Sequence, residues 1–461
     1  MKSHKIDVAA LLTAKKSPRD IAFLRTLISL LSIASVSLGV RVFVSWVLSS
    51  YFRIDVPGSL MYKADDGWCE AKTEGIGIHC FGDFNERLSP SPKDQWDVYP
   101  NNLETTPIGP FITSLANFLS SLTSPRIVLV LFYLVSIVFL LFPLFHSSRR
   151  FGFQFRIVLM ALFGMGSYPF LVLMDRLNYL ALAVPFLYFL FIHLKHDNNA
   201  KLIPLIVSLS VIKPQFGIIA LMFLFRGKIV EFLKCVSIQL ASISILIVIA
   251  GKGDLNRLIE YIRVIGGYGG FIWDVQAQNP PNASIPEAIY QVYYQVSSTL
   301  GLPITQIDGS GNALLSIASV IISLILLLLL YKNSKSLHPL ELAVSLTIVG
   351  LLGFGVYVAT YYLIFLIPLI SVFLTHSLEL FKQAGSTDLS FNLGLDVAKR
   401  KFLFAVFFSS TTLIIPVLPD LYSPIANTNV IQVWSPTLAT FFWIAYIVQV
   451  STKSRLRSPS N

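Results

Sequence analysis

The stretch LIPLIVSLSVI (202–212), Lys213-Pro214-Gln215 and FGIIALMFLF (216–225) lies between Lys201 on one side and Arg226-Gly227-Lys228 on the other. Each apolar half has about a dozen residues, short of the ~20 that a helix needs to cross a bilayer. Both flanks are basic, and Lys and Arg collect on the cytoplasmic side of membrane proteins. The pattern therefore predicts two short helices that fold back at Lys213-Pro214, with that dipeptide at an apex near the outer face. The alternative is one continuous span kinked at the proline. It would invert the sidedness of everything downstream and put the basic C-terminal tail outside.

Composition agrees with a membrane setting. The chain is 54% hydrophobic and 13% charged, against about 25% charged in a soluble domain. Spans of about twenty apolar residues recur along it, which predicts a polytopic helical protein; a β-barrel would show short alternating segments instead. The net charge of +10 reads as topology. Nucleic-acid binding would need a basic stripe on a soluble domain, and none is visible, so no nucleic-acid partner is expected. The N-terminus (Lys2, Lys5, Lys15, Lys16, Arg19) and the tail (Lys453, Arg455, Arg457) are both basic. Both are expected in the cytoplasm, which requires an even number of crossings. The first span lacks a small-residue cleavage site and is expected to be retained.

Working outward under the positive-inside rule gives an all-α bundle of about twelve transmembrane helices in a cell (inner) membrane. Residues 1–25 form a cytoplasmic tail, 26–376 a transmembrane core with outer loops at 51–125 and 251–311, 377–401 a cytoplasmic loop, 402–450 further transmembrane helices and 451–461 a cytoplasmic tail. Within the first outer loop, 105–122 is apolar but broken by Pro107, Gly109 and Pro110. It is expected to be an interfacial or re-entrant helix, followed by a crossing at 126–146. Later crossings are expected near 157–174, 179–194, 229–250, 312–331, 339–358, 361–375, 402–418 and 436–450. No internal repeat is apparent.

The first outer loop reads YKADDGWCEAKTEGIGIHCFGDFNERLSPSPKDQWDVYPNN (62–102). It combines carboxylates with aromatic rings. Carboxylates serve as general bases, and aromatic faces stack on sugar rings. Most of its acids read as simply solvated. Asp83 stands out because it follows Cys80, which can pair with Cys69 in an oxidising compartment; the alternative is two free thiols. Cys235 lies in a span and reads as a core residue. Arg176, in Asp175-Arg176-Leu177-Asn178, suits two-point contact with phosphate oxygens, or else a salt-bridged helix end. Lys213 is an ionisable group where helices are too short to cross, which marks a site; snorkelling is the plainer reading. Tyr361 and Tyr362 stand at the outer end of a span, where an aromatic belt is common. Walker A and Rossmann fingerprints are absent, so a sugar nucleotide has no obvious place to bind.

Taken together these pieces resemble the integral-membrane GT-C glycosyltransferases that use polyprenyl-phosphate sugars, in particular the bacterial mannosyl- and arabinofuranosyltransferase branch. The resemblance is carried by GDF (82–84), DVYPNN (97–102), DRLNYLAL (175–182), VIKPQFGIIALMFLFRGK (211–228), Asn282-Ala283-Ser284 and TYYLIFLIPL (360–369). The Lys-Pro segment is the most specific of these. Where that branch often has Tyr-Pro-Pro and a histidine, this chain has Tyr99-Pro100-Asn101 and Tyr361-Tyr362. The resemblance implies an inverting transfer from a polyprenyl-phosphate sugar to a glycan or glycolipid hydroxyl on the outer face. It implies Asp83 as base, with Asp65, Asp66 and Asp97 in reserve. Arg176, Asn178 and Lys213 would hold the donor phosphate, with Asn282, Tyr361 and Tyr362 as further binding residues. No cofactor and no metal ligand set is implied, although a carboxylate-bound divalent ion stays open. The rival classes are a transporter or flippase of lipid-linked sugars and a polymerase of surface glycans. The one-sided clustering of polar residues favours an enzyme over a two-sided pathway.

Overall fold

The computed structural model describes residues 106–148, 173–174, 177–195, 201–263, 285–301, 309–353, 365, 367–369, 371–372, 422–423 and 428–453. Apart from the turns that join them, these are helical, with one two-residue antiparallel ladder, Tyr422–Ser423 (β1) with Thr428–Asn429 (β2). The helices are α1 Gly109–Leu122, α2 Pro125–Ser147, α3 Ala183–Lys195, α4 Leu202–Ile212, α5 Leu221–Phe225, α6 Ile229–Ala250, α7 Ile285–Thr299, α8 Gly309–Asn333, α9 Pro339–Ile348 and α10 Val430–Lys453. Short 3₁₀ turns at Tyr179–Leu182 and Pro214–Ala220 precede α3 and α5, and a π-helical turn, Val349–Gly353, extends α9.

Two of the described helices, at Ile127–Ser147 and Ile229–Ala250, are long and apolar enough to cross a membrane. Shorter apolar helices occupy 179–194, 202–212, 214–225, 317–333, 339–353 and 438–452. Helix α6 keeps much of its apolar surface uncovered, with Val230 at 76% and Leu240 at 63% exposure. Apolar side chains left bare along a whole helix suit hydrocarbon rather than water.

The chain does fold back at Lys213-Pro214. The pyrrolidine ring disfavours helical geometry in the preceding residue, and Lys213 is accordingly extended (φ −148°, ψ 116°), ending α4 at Ile212. Pro214 then opens the 3₁₀ turn, where its missing N–H costs nothing. A Cβ placed on Gly217 would lie 3.7 Å from the Ser210 Cβ and 3.4 Å from the Gln239 Oε1. Two residues seven apart in one straight helix would be about 10 Å apart, so the continuous kinked span does not form.

The other elements stack on this hairpin. Helices α3 and α4 pack together across the short stretch 196–201, which makes them antiparallel. His146 of α2 shares a 2.7 Å hydrogen bond with Tyr188 of α3, and the Phe142 ring packs against both. Helix α9 and its π turn lie along the second arm of the hairpin. At one end the Arg226 Nη2 donates to the Leu337 carbonyl at 2.6 Å, and the Ser334 Oγ donates to the Phe225 carbonyl at 2.6 Å. His338 caps α9 there with Glu341 in a capping box. At the other end Gly350 meets the hairpin apex: a Cβ on it would stand 2.5 Å from the Ile218 Cγ2 and 2.7 Å from the Gln215 carbonyl oxygen. The second neighbour is backbone and cannot swing away. We expect Gly350→Ala to destabilise the fold by about 1–3 kcal/mol, seen as a lower midpoint in thermal unfolding of the detergent-solubilised protein. An unchanged midpoint would mean that α9 is not seated as described.

Several expectations fall outside the described residues: the first span, the acidic loop with Asp65, Asp66, Cys69, Cys80, Asp83 and Asp97, the span at 157–174 apart from 173–174, the span at 402–418, and the residues Arg176, Asn282, Tyr361 and Tyr362. Cys235 is buried, as expected of a core residue.

Candidate functional site

The end of the bundle that carries Lys213 is built from four segments that are distant in sequence. The first is Thr106, which closes the acidic loop. Its Oγ1 is hydrogen-bonded to the Tyr179 hydroxyl, and both residues are buried. This bond fastens the end of the loop to the turn that opens α3. An uncharged buried hydroxyl pair of this kind is satisfied only while both partners stay in register.

The second segment is that turn. Leu177 adopts φ +50°, a left-handed conformation that a branched side chain rarely takes. It costs of order 1–3 kcal/mol, and such strain concentrates at functional positions. Asn178 follows, with its Oδ1 accepting from the Leu180 N–H at 2.9 Å and its own N–H donating to the Leu173 carbonyl at 3.1 Å. Asn178 is therefore the N-cap of the 3₁₀ turn Tyr179–Leu182. The turn packs against both α2 and α4. Because α3 and α4 are antiparallel, the turn sits at the Ile212–Lys213 end of α4.

Lys213 itself is half-buried. Its N–H donates to the Leu209 carbonyl at 2.8 Å, and its carbonyl accepts from the Phe216 N–H at 3.0 Å, so the backbone of the apex is satisfied on both sides. Just below it, Gln215 Oε1 and Gln239 Nε2 are buried with no hydrogen-bond partner among the described residues. Unpaired amide atoms inside a packed bundle are costly.

The fourth segment is the π turn Val349–Gly353. The Ser319 Oγ donates to the carbonyl of its last residue, Gly353, at 2.9 Å. Isolated π turns are rare and are found mostly at functional sites. The Ile285 Cδ1 lies 3.8 Å from where a Gly353 Cβ would stand, so the start of α7 reaches the same end. Among the described residues, this end therefore gathers Thr106, Asn178–Tyr179, Lys213–Gln215, Gly350–Gly353 and Ile285. Lys201, Arg226, Lys228, Lys332 and Lys335 belong to the opposite end, where α4, the hairpin's second arm and α8 meet their neighbours.

Of the site residues expected from sequence, the described ones are Asn178 and Lys213, and they share this end. Asp65, Asp66, Asp83, Asp97, Arg176, Asn282, Tyr361 and Tyr362 lie outside the described residues. Thr106, Tyr179, Gln215 and Gln239 were not singled out by sequence. Gln239 carried the one available signal, a lone amide in an apolar span. Among the described residues no group of His, Cys, Asp and Glu could hold a metal ion. Neither a family model, nor a curated protein, nor a solved structure matches the chain.

Proposed function

We propose that this chain is a multi-pass membrane glycosyltransferase of the GT-C kind, moving a sugar from a polyprenyl-phosphate donor to a glycan or glycolipid hydroxyl on the outer face. The observation that supports it is the gathering of Lys213 with the strained turn after Arg176, the end of the acidic loop and the π turn at one end of the helices. This reading takes the end that carries Lys201, Arg226, Lys228, Lys332 and Lys335 as the cytoplasmic one under the positive-inside rule, and Lys213 as lying on the outer side with Lys252, Arg257 and Arg263.

In this reading the apex ammonium and the Arg176 guanidinium hold the donor phosphate as it takes up charge. Asn178 positions the Arg176 turn through its cap. The acceptor hydroxyl oxygen attacks the sugar C1 from the side opposite the phosphate. The C1–O bond to phosphate breaks, its electron pair leaves with the polyprenyl phosphate, and the hydroxyl proton passes to the Asp83 carboxylate. Asp65, Asp66 and Asp97 are the reserve bases, and Asn282, Tyr361 and Tyr362 line the sugar side. The isoprenoid tail lies among the apolar helices.

A short-chain polyprenyl phosphate should raise the thermal midpoint of the purified protein, because a ligand that binds only the folded state stabilises it. A sugar nucleotide should leave it unchanged. Stabilisation by the nucleotide and none by the lipid would point to another class of donor.

A further inference from the structure

Directly after α6 the chain turns sharply and forms a second helix that sequence alone left inside a polar loop. Lys252 and Gly253 both have positive φ (57° and 90°), and the Gly251, Lys252 and Gly253 N–H groups close the end of α6 on the Ile247, Ile249 and Val248 carbonyls. Asp254 starts the next helix: its Oδ1 accepts from the Asn256 N–H at 2.9 Å. Residues 256–263 are helical.

At 100° per residue, Leu255, Leu258, Ile259, Tyr261 and Ile262 fall within one arc of about 160°. Asn256, Arg257, Glu260 and Arg263 fill the rest. One edge of the apolar arc is in use, since Tyr261 and Leu258 pack on Phe111, Ile243, Ile247 and Ala250. The helix therefore lies against the last two turns of α6. The other edge is bare: Leu255 is 70%, Ile259 59% and Ile262 65% exposed. On the polar face the Arg257 Nη1 donates to the Glu260 Oε2 at 2.9 Å.

We propose that residues 255–263 are an interfacial helix that lays Leu255, Ile259 and Ile262 into the headgroup–acyl boundary of the leaflet at the Lys213 end. Three observations select lipid as the occupant of the bare stripe. The stripe belongs to a helix that packs on α6, which is itself bare on its other side, at Ile245 and Ile249. Its height is fixed by contact with the final turns of that span, where the bilayer edge falls. Lys252 and Arg263 flank it, with Arg257 paired to Glu260, and cations beside an apolar stripe suit lipid phosphates. Such a helix holds the end of α6, and Phe111 of α1 with it, at a set depth beside the site. The proposal rests on α6 as a membrane span and not on the transfer reaction.

Tryptophan quenching by brominated lipid tests it in the full chain reconstituted in phosphatidylcholine vesicles. Ile259→Trp, Ile262→Trp, Asn256→Trp and Leu240→Trp are each compared with the unsubstituted chain. The added emission at Ile259 and Ile262 should be lost with bromines near the headgroup end of the acyl chains and largely kept with bromines near the methyl end. Asn256→Trp should be quenched by neither. Leu240→Trp should be quenched, most strongly by the deep bromines. If Leu240→Trp is quenched and the Ile259 and Ile262 variants are not, the stripe is covered by protein, such as a second copy, or faces water, and the interfacial helix is wrong. If Leu240→Trp is itself unquenched, α6 is not a span and the proposal falls with it. Leu255→Trp reads the same stripe if the Ile259 variant does not fold.

Discussion

Asp83→Asn is expected to lower transfer by about 10²- to 10⁴-fold, the usual contribution of a positioned general base. The substitution keeps the shape of the side chain and removes only its ability to take a proton. Binding of the polyprenyl-phosphate donor should be almost unchanged, because the phosphate is held by cations on other segments. The measurement is single-turnover transfer alongside donor binding for the same protein preparation. Full activity in the asparagine variant would move the base to Asp65, Asp66 or Asp97, each to be tested the same way. Loss of donor binding together with activity would instead give Asp83 a structural duty in the loop.

Lys213→Ala should weaken donor binding by about 10- to 150-fold, the worth of a charge-assisted hydrogen bond of about 1.5–3 kcal/mol. The backbone of the apex does not depend on the side chain: Pro214 and the bonds to Leu209 and Phe216 hold it. The variant should therefore fold, and acceptor affinity should stay within about twofold of the parent, as for a surface change away from the acceptor. Lys213→Arg keeps the charge and should recover part of the donor affinity. An alanine variant with unaltered donor affinity would reduce Lys213 to a snorkelling residue.

The hairpin at Lys213 was legible because two independent rules agreed on it. Each arm was too short to cross, and both flanks are basic. The bounds of α2, α3, α6 and α8 were legible for the same kind of reason, since apolar length ends at basic or polar residues. The capping role of Asn178 was not visible, because an asparagine before a helical run reads equally as a cap or as a ligand-binding amide until the Leu180 N–H is seen on it. The π turn at 349–353 left no mark, since VGLLG sits within an evenly apolar run and backbone widening has no side-chain signature. The fastening of Thr106 to Tyr179 joins residues far apart in sequence, beyond the reach of any local pattern. The helix at 256–263 could have been found: Leu255, Ile259 and Ile262 recur at helical spacing, but their charged neighbours made the segment read as loop.

The most direct measurement is transfer itself. Purified full-length protein in lipid vesicles is incubated with a small panel of radiolabelled polyprenyl-phosphate sugars and with membrane glycolipid acceptors, without any nucleotide sugar. The account predicts that label from one donor appears in a glycan or glycolipid product, and that Asp83→Asn slows this by about 10²- to 10⁴-fold. Movement of the intact labelled lipid across the bilayer with no sugar transferred, or transfer that requires a sugar nucleotide, would contradict it.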